Sequence, residues 1–234
     1  MNVTVAGHRR LRTRFRPATP HWWLVADATL ILADISHRQG VLSHLSFLVT
    51  EESGFGEIFQ YGKTAVGVLL LTILSARRAS LSALIWALVL LLVLLDDSLE
   101  LHERGGVYLA GALGLESIGA LRGNHLGELI AFAGLAVCCM IAVGVGWRYG
   151  DREDRRLTRT LLMWFGALAF CAVVLDAVSS FTRRSRFGGG VAALENGGEM
   201  IVMSLLVISV WARLRRDAVG ATIGPAGPQM RDVP

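Results

Sequence analysis

The sequence predicts an all-α fold: a polytopic membrane protein built as a bundle of six transmembrane helices. Of its 234 residues, 53% are hydrophobic, and the mean hydropathy is +0.51. The apolar residues fall in runs that approach the roughly 20 residues needed to cross a bilayer of about 30 Å. No strand-like alternation accompanies these runs. Lipid offers no partner for open backbone N–H and C=O groups, so an α-helical bundle is the architecture expected.

The spans are expected at 22–38, 60–76, 82–103, 126–147, 160–182 and 191–213. The first is interrupted by Asp27, Asp34 and His37 and followed by a second apolar stretch at 41–50, so it reads as one long tilted helix or as a span plus an interfacial segment. Residues 1–21 read as a basic cytoplasmic tail and 22–213 as the membrane domain. Residues 214–234, rich in Gly and Pro near the end, read as a disordered cytoplasmic tail. No short apolar core with a small-residue cleavage site follows the basic N-terminus, so the first span is expected to stay as an anchor.

Orientation follows from the basic residues. A cytoplasmic N-terminus with six spans puts 16 of the 23 Lys and Arg inside, which satisfies the positive-inside rule. Both termini are then cytoplasmic, in the cytoplasmic membrane of a bacterium. The pair Trp22–Trp23 reads as an interfacial belt on that same side. The pI near 9.4 reflects this topology and an anionic inner leaflet. No nucleic-acid-binding motif is present, and membrane lipid is the partner expected.

The run "LLVLLDDSLELHER" places Asp96, Asp97, Glu100, His102 and Glu103 at the outer end of the third span. Ionisable groups in a bilayer are costly and usually functional. Glu128, Asp176, Glu195 and Glu199 fall in the same outer layer, with His125 opening the fourth span. On one continuous helix, Asp96, Glu100 and Glu103 share a face at i, i+4 and i+7. Crowded carboxylates repel in a low dielectric, and a divalent metal cation would relieve that repulsion. Asp96, Glu100, His102, Glu103, Glu128, Asp176, Glu195 and Glu199 are therefore the candidate ligands, with Glu103 and His102 as candidate catalytic groups. The plainer alternative is a set of acids hydrogen-bonded to Ser98, Ser179 or Ser180, or wetted at the interface with Glu100 paired to Arg104. Asp27, nearer the inner end, is expected to snorkel. Gly197 and Gly198 are expected to let the sixth span pack closely, bringing Glu195 and Glu199 against the third. Cys138, Cys139 and Cys171 read as buried thiols.

The blocks "GEIFQYGK" (56–63), "DDSLELHERGG" (96–106), "HLGELI" (125–130), "LDAVSS" (175–180) and "ENGGEMIVMS" (195–204) resemble an uncharacterised family of bacterial six-span inner-membrane proteins. The resemblance implies a shared fold and no particular activity. Three functional classes follow from the residues. One is a metal-dependent membrane enzyme acting on a lipid-like or extracytoplasmic substrate. The others are a non-catalytic ion-binding or assembly subunit and a proton- or cation-linked transporter. Nearly uncharged inner halves argue against the transporter.

Overall fold

The structure, a computed structural model, describes residues 20–38, 54–117, 122–175, 178 and 188–222. Seven helices form the described chain. They are α1 (Trp22–Arg38), α2 (Phe55–Arg78), α3 (Leu81–Leu99), α4 (Leu101–Leu113), α5 (Gly123–Tyr149), α6 (Arg152–Ala169) and α7 (Gly188–Thr222). A π-helical segment, Phe170–Leu175, follows α6 directly.

The fold class is as expected, an all-α membrane bundle, but the span count is not. Among the described residues four helices, not six, are long and apolar enough to cross a membrane: α2, α3, α5 and the Leu194–Ala218 part of α7. The first expected span is α1, which has only 17 residues. The fifth, expected at 160–182, covers the apolar second half of α6 and the π-helical segment, and beyond Leu175 it lies outside the described residues except for Val178. Helix α7 runs on to Thr222, beyond 213 where the last span was expected to end.

Two sharp local signals set the bundle's hairpins. Ala79 takes a left-handed conformation after α2, and Ser80 then caps α3 by accepting a hydrogen bond from Ala83 N–H at 3.0 Å. Asp151 caps α6 in the same way, accepting from Asp154 N–H at 2.7 Å. Both turns lie at one end of the bundle. Gly67 faces Leu90 and Val207, and Gly146 faces Ile85 and Ser82, so small residues bring α2, α3, α5 and α7 together. The core between them consists of Leu71, Leu74, Trp86, Leu90, Leu161, Leu206, Val207 and Val210. Trp86 Nε1–H is satisfied by Thr158 Oγ1 at 3.3 Å, which ties α3 to α6.

The two ends differ in charge. At the Arg-rich end, Arg78 and Arg213 converge on Glu153, with Arg213 at 2.8 Å, and Arg78 also pairs with Asp217. At the acidic end, α3 stops at Leu99 and the chain restarts as α4. Helix α4 then runs antiparallel to the start of α5, with Gly106 and Gly127 at the crossing. A Cβ on Gly106 would meet Glu128 N at 2.5 Å, and one on Gly127 would overlap the Gly106 carbonyl.

That crossing generates a prediction. Gly127→Ala should cost on the order of 1–3 kcal/mol of stability through backbone overlap. Gly134→Ala on the same helix has open space and should be neutral or stabilising by up to about 1 kcal/mol. Thermal unfolding in detergent compares the two. Equal behaviour would remove the glycine contact as the reason α4 sits on α5.

Candidate functional site

The expected acidic layer is dispersed rather than assembled. The decisive element is Glu100. It is not a residue within a continuous third helix but the junction between α3 and α4, with φ 53° and ψ 41°. The left-handed residue breaks the i, i+4, i+7 register, so Asp96, Glu100 and Glu103 do not share a face. Glu100 and Glu103 are exposed, and Glu100 lies 3.7 Å from Arg104.

Asp96 holds that junction in place. One of its carboxylate oxygens accepts a hydrogen bond from the backbone N–H of His102 at 2.9 Å, and the other lies 3.1 Å from His102 Nδ1. His102 is in the first turn of α4, so Asp96 satisfies one of that helix's orphan donors. It also complements the positive end of the helix. His102 Nε2 faces Glu103 at 4.0 Å, and its ring meets Phe132 edge-on at 6.2 Å.

The remaining acids are occupied elsewhere. Glu128 pairs with His125 one turn away, at 3.1 Å. Tyr61 donates its hydroxyl to Glu57 and lies 3.3 Å from the Asp97 carbonyl. Glu195 and Glu199 lie on α7 near the Cys171 thiol, and Gly198 faces Cys171 Sγ at 3.1 Å. The glycine pair therefore does serve close packing, but against α1 through Gly197–Ile31 and against the π segment, not against α3. Asp176 lies outside the described residues. Among the described residues no group of three or more His, Cys, Asp and Glu could hold a metal ion. The expected divalent-cation site, and the metal-dependent function built on it, are thereby overturned. Most of the proposed ligands already have a protein partner, and those partners are spread over separate helix pairs.

The site that the sequence reading missed is deeper. Lys63, about 12 Å into α2 at 1.5 Å per residue, donates to Asp27 of α1 at 2.7 Å. Both side chains are 0% exposed. Lys63 also donates to the Met200 carbonyl of α7 at 2.8 Å, and its ammonium lies 4.9 Å from the Phe59 ring. The second oxygen of Asp27 accepts the Ser204 hydroxyl at 2.5 Å. Three helices thus meet at one charge-neutral, hydrogen-bonded pair. Asp27 does not snorkel: it is held inside the bundle by Lys63 and Ser204. Trp23 packs on Phe59 at 5.4 Å, so the Trp pair sits by the first turns of α2, far along that helix from Arg77 and Arg78. The visible signal was a pair of acids, Asp27 and Asp34, in the run "WWLVADATLILADI" and a lone lysine near the start of an apolar helix.

Taken together, the long apolar helices and the buried pair define a multi-pass helical membrane protein with charge inside its bundle. The chain matches a family described as a domain of unknown function (DUF8692) over residues 10–213, and it belongs to that family. This corrects the resemblance to a six-span family, since the described part of the bundle has four long apolar helices. No curated protein and no solved structure matches the chain.

The α3–α4 junction gives a second prediction. Asp96→Ala should lose about 0.5–2 kcal/mol, the usual cost of removing a helix cap. Glu100→Gly should gain up to about 1 kcal/mol by relieving a left-handed residue. Denaturant titration of both variants decides it. A destabilised Glu100→Gly would mean that the glutamate side chain matters more than its backbone strain.

Proposed function

We propose that this chain is a multi-pass membrane protein that responds to protons through one buried ion pair, Lys63–Asp27. The single observation carrying this reading is that pair: 2.7 Å apart, both partners fully buried, with Lys63 on a helix apolar enough to cross a membrane and Asp27 on α1. Intramembrane ionisable residues are costly enough that their retention points to function. Among the described residues most arginines gather at the end that holds Arg78, Arg148, Arg155 and Arg213, which supports a cytoplasmic Arg-rich end in a bacterial inner membrane.

The chemistry follows from the partners. Transfer of one proton from Lys63 to Asp27 would convert an ionised pair into a neutral one while keeping the same atoms in contact. In a low dielectric the ionised and neutral forms of such a pair lie closer in energy than in water, because desolvation opposes the Coulomb gain. Neither side chain reaches solvent, so exchange of that proton with water requires α1 to move. Helix α1 is short and rests mainly on α7, where Ile31 packs over Gly197. Proton exchange is thereby coupled to displacement of one helix, which is the minimum needed for a proton-responsive device.

Two measurements test this. Asp27→Asn and Lys63→Met each leave a buried group without its counter-charge and should cost about 3–5 kcal/mol. The double variant should lose clearly less than the sum. In infrared difference spectra across pH, wild type should show a protonated-carboxyl band that Asp27→Asn deletes. Spectra in which no such band depends on Asp27 would leave the pair as a structural tie and end the proton-responsive reading.

A further inference from the structure

We propose that the turn joining α5 to α6 is a docking surface for anionic phospholipid headgroups, formed by Arg148, Arg155 and Arg159 around Trp147 and Tyr149. The argument starts from how the charges of this segment are divided. Its three carboxylates are all used within the protein. Asp151 caps α6, Asp154 accepts the Ser80 hydroxyl at 2.5 Å, and Glu153 holds Arg213 at 2.8 Å and Arg156 at 3.1 Å. Arg148, Arg155 and Arg159 are exposed and form no ion pair among the described residues. The acids are engaged by a helix cap, a hydroxyl and other arginines, and Arg148, Arg155 and Arg159 are left without a carboxylate partner among the described residues.

The aromatic residues fix that surface in place. The Arg159 guanidinium lies 5.2 Å from the centre of the Trp147 ring, and Arg148 lies 5.9 Å from that of Tyr149. Arg155 donates from Nε to the Trp147 carbonyl at 3.2 Å, which leaves its terminal nitrogens for another acceptor. Arginine presents a rigid fork suited to phosphate oxygens. The turn follows directly on α5, one of the four long apolar helices, so it lies at a membrane boundary. Trp and Tyr favour that level. Each basic residue close to an anionic leaflet strengthens binding about fivefold.

The same arginines could meet nucleic acid, but the geometry favours lipid. One face of each ring is already taken by one of the protein's own guanidinium groups, which narrows the stacking platform that single-stranded binders use. The neighbouring surface of α5 is exposed and apolar, with Met140, Ile141 and Val145, as lipid contact requires.

The test uses the full chain in mild detergent, titrated with dioleoylphosphatidylglycerol or dioleoylphosphatidylcholine and read by native mass spectrometry. Wild type should retain the anionic lipid at concentrations at least tenfold below the zwitterionic one. R148Q/R155Q/R159Q should erase that preference, while Arg104→Gln at the opposite end should keep it. Should the triple variant fail to fold, Arg159→Gln alone should weaken the anionic lipid about fivefold. Equal retention of both lipids by wild type, or an undiminished preference in the variants, overturns the proposal. Displacement of the anionic lipid by a single-stranded oligonucleotide would reassign the surface to nucleic acid and overturn it equally.

Discussion

A charge cannot be left alone inside a bilayer, and the arrangement of this bundle's first, second and seventh helices follows from that constraint. Lys63 stands well inside an apolar helix. Stranding its ammonium there would cost several kcal/mol even after relaxation. The ammonium is matched by a carboxylate from α1, a carbonyl from α7 and an aromatic ring from its own helix. Asp27 is matched on both oxygens. Helices that supply partners for one point must approach one another, and the contacts around that point are accordingly small. Gly67 gives Leu90 and Val207 room beside α2, and Gly197 admits Ile31 of α1 against α7. Without those glycines the backbones would stand further apart and the pair would be left short of partners.

The two ends of the bundle solve their electrostatics differently. At the Arg-rich end, two ion pairs and a hydrogen bond bridge elements far apart in sequence: Arg78 to Asp217, Arg213 to Glu153, and the Ser80 hydroxyl to Asp154. At the acidic end most pairings are local, within one or two turns: Asp96 to His102, His125 to Glu128, Tyr61 to Glu57. Long-range pairs lock helices together, while local pairs mainly stabilise single helix ends. The Arg-rich end is therefore the cross-braced one. The acidic end, with a strained junction at Glu100 and a short helix α4, is held by glycine contacts and a carboxylate cap.

Much of this was legible in the sequence, for identifiable reasons. Helices α2, α3, α5 and α7 announce themselves because hydrophobic length is set by the bilayer and needs no tertiary information. The close-packing role of Gly197 and Gly198 was legible too, though their partners were not. The break at Glu100 was hidden. Neither Gly nor Pro stands there, and an acidic residue within "DDSLELHER" reads as helix. Only the fold shows that Asp96 reaches forward six residues to cap a new helix. The span expected at 160–182 starts after the arginines that open α6, but hydropathy does not show that α6 ends at Ala169 and gives way to a π-helical segment. Asp27 and Lys63 were visible as anomalies, yet they are 36 residues apart. Pairing them requires the depth and tilt of α1, which hydropathy does not encode.

The same reasoning explains why the acidic layer suggested a metal. A count of carboxylates at one level assumes that they face one another, and that assumption rested on an unbroken third helix. Once the chain turns at Glu100, Glu103 leaves that face while Asp96 stays behind, engaged by His102. Glu128 turns to His125, and Glu195 and Glu199 stand by Cys171 on another side of α7. Repulsion between carboxylates falls with separation and with the effective dielectric, so a dispersed set with nearby imidazole and phenol partners needs no shared cation. The charge problem left for the fold to solve is the one in the interior, where water is absent. There the chain supplies both signs itself.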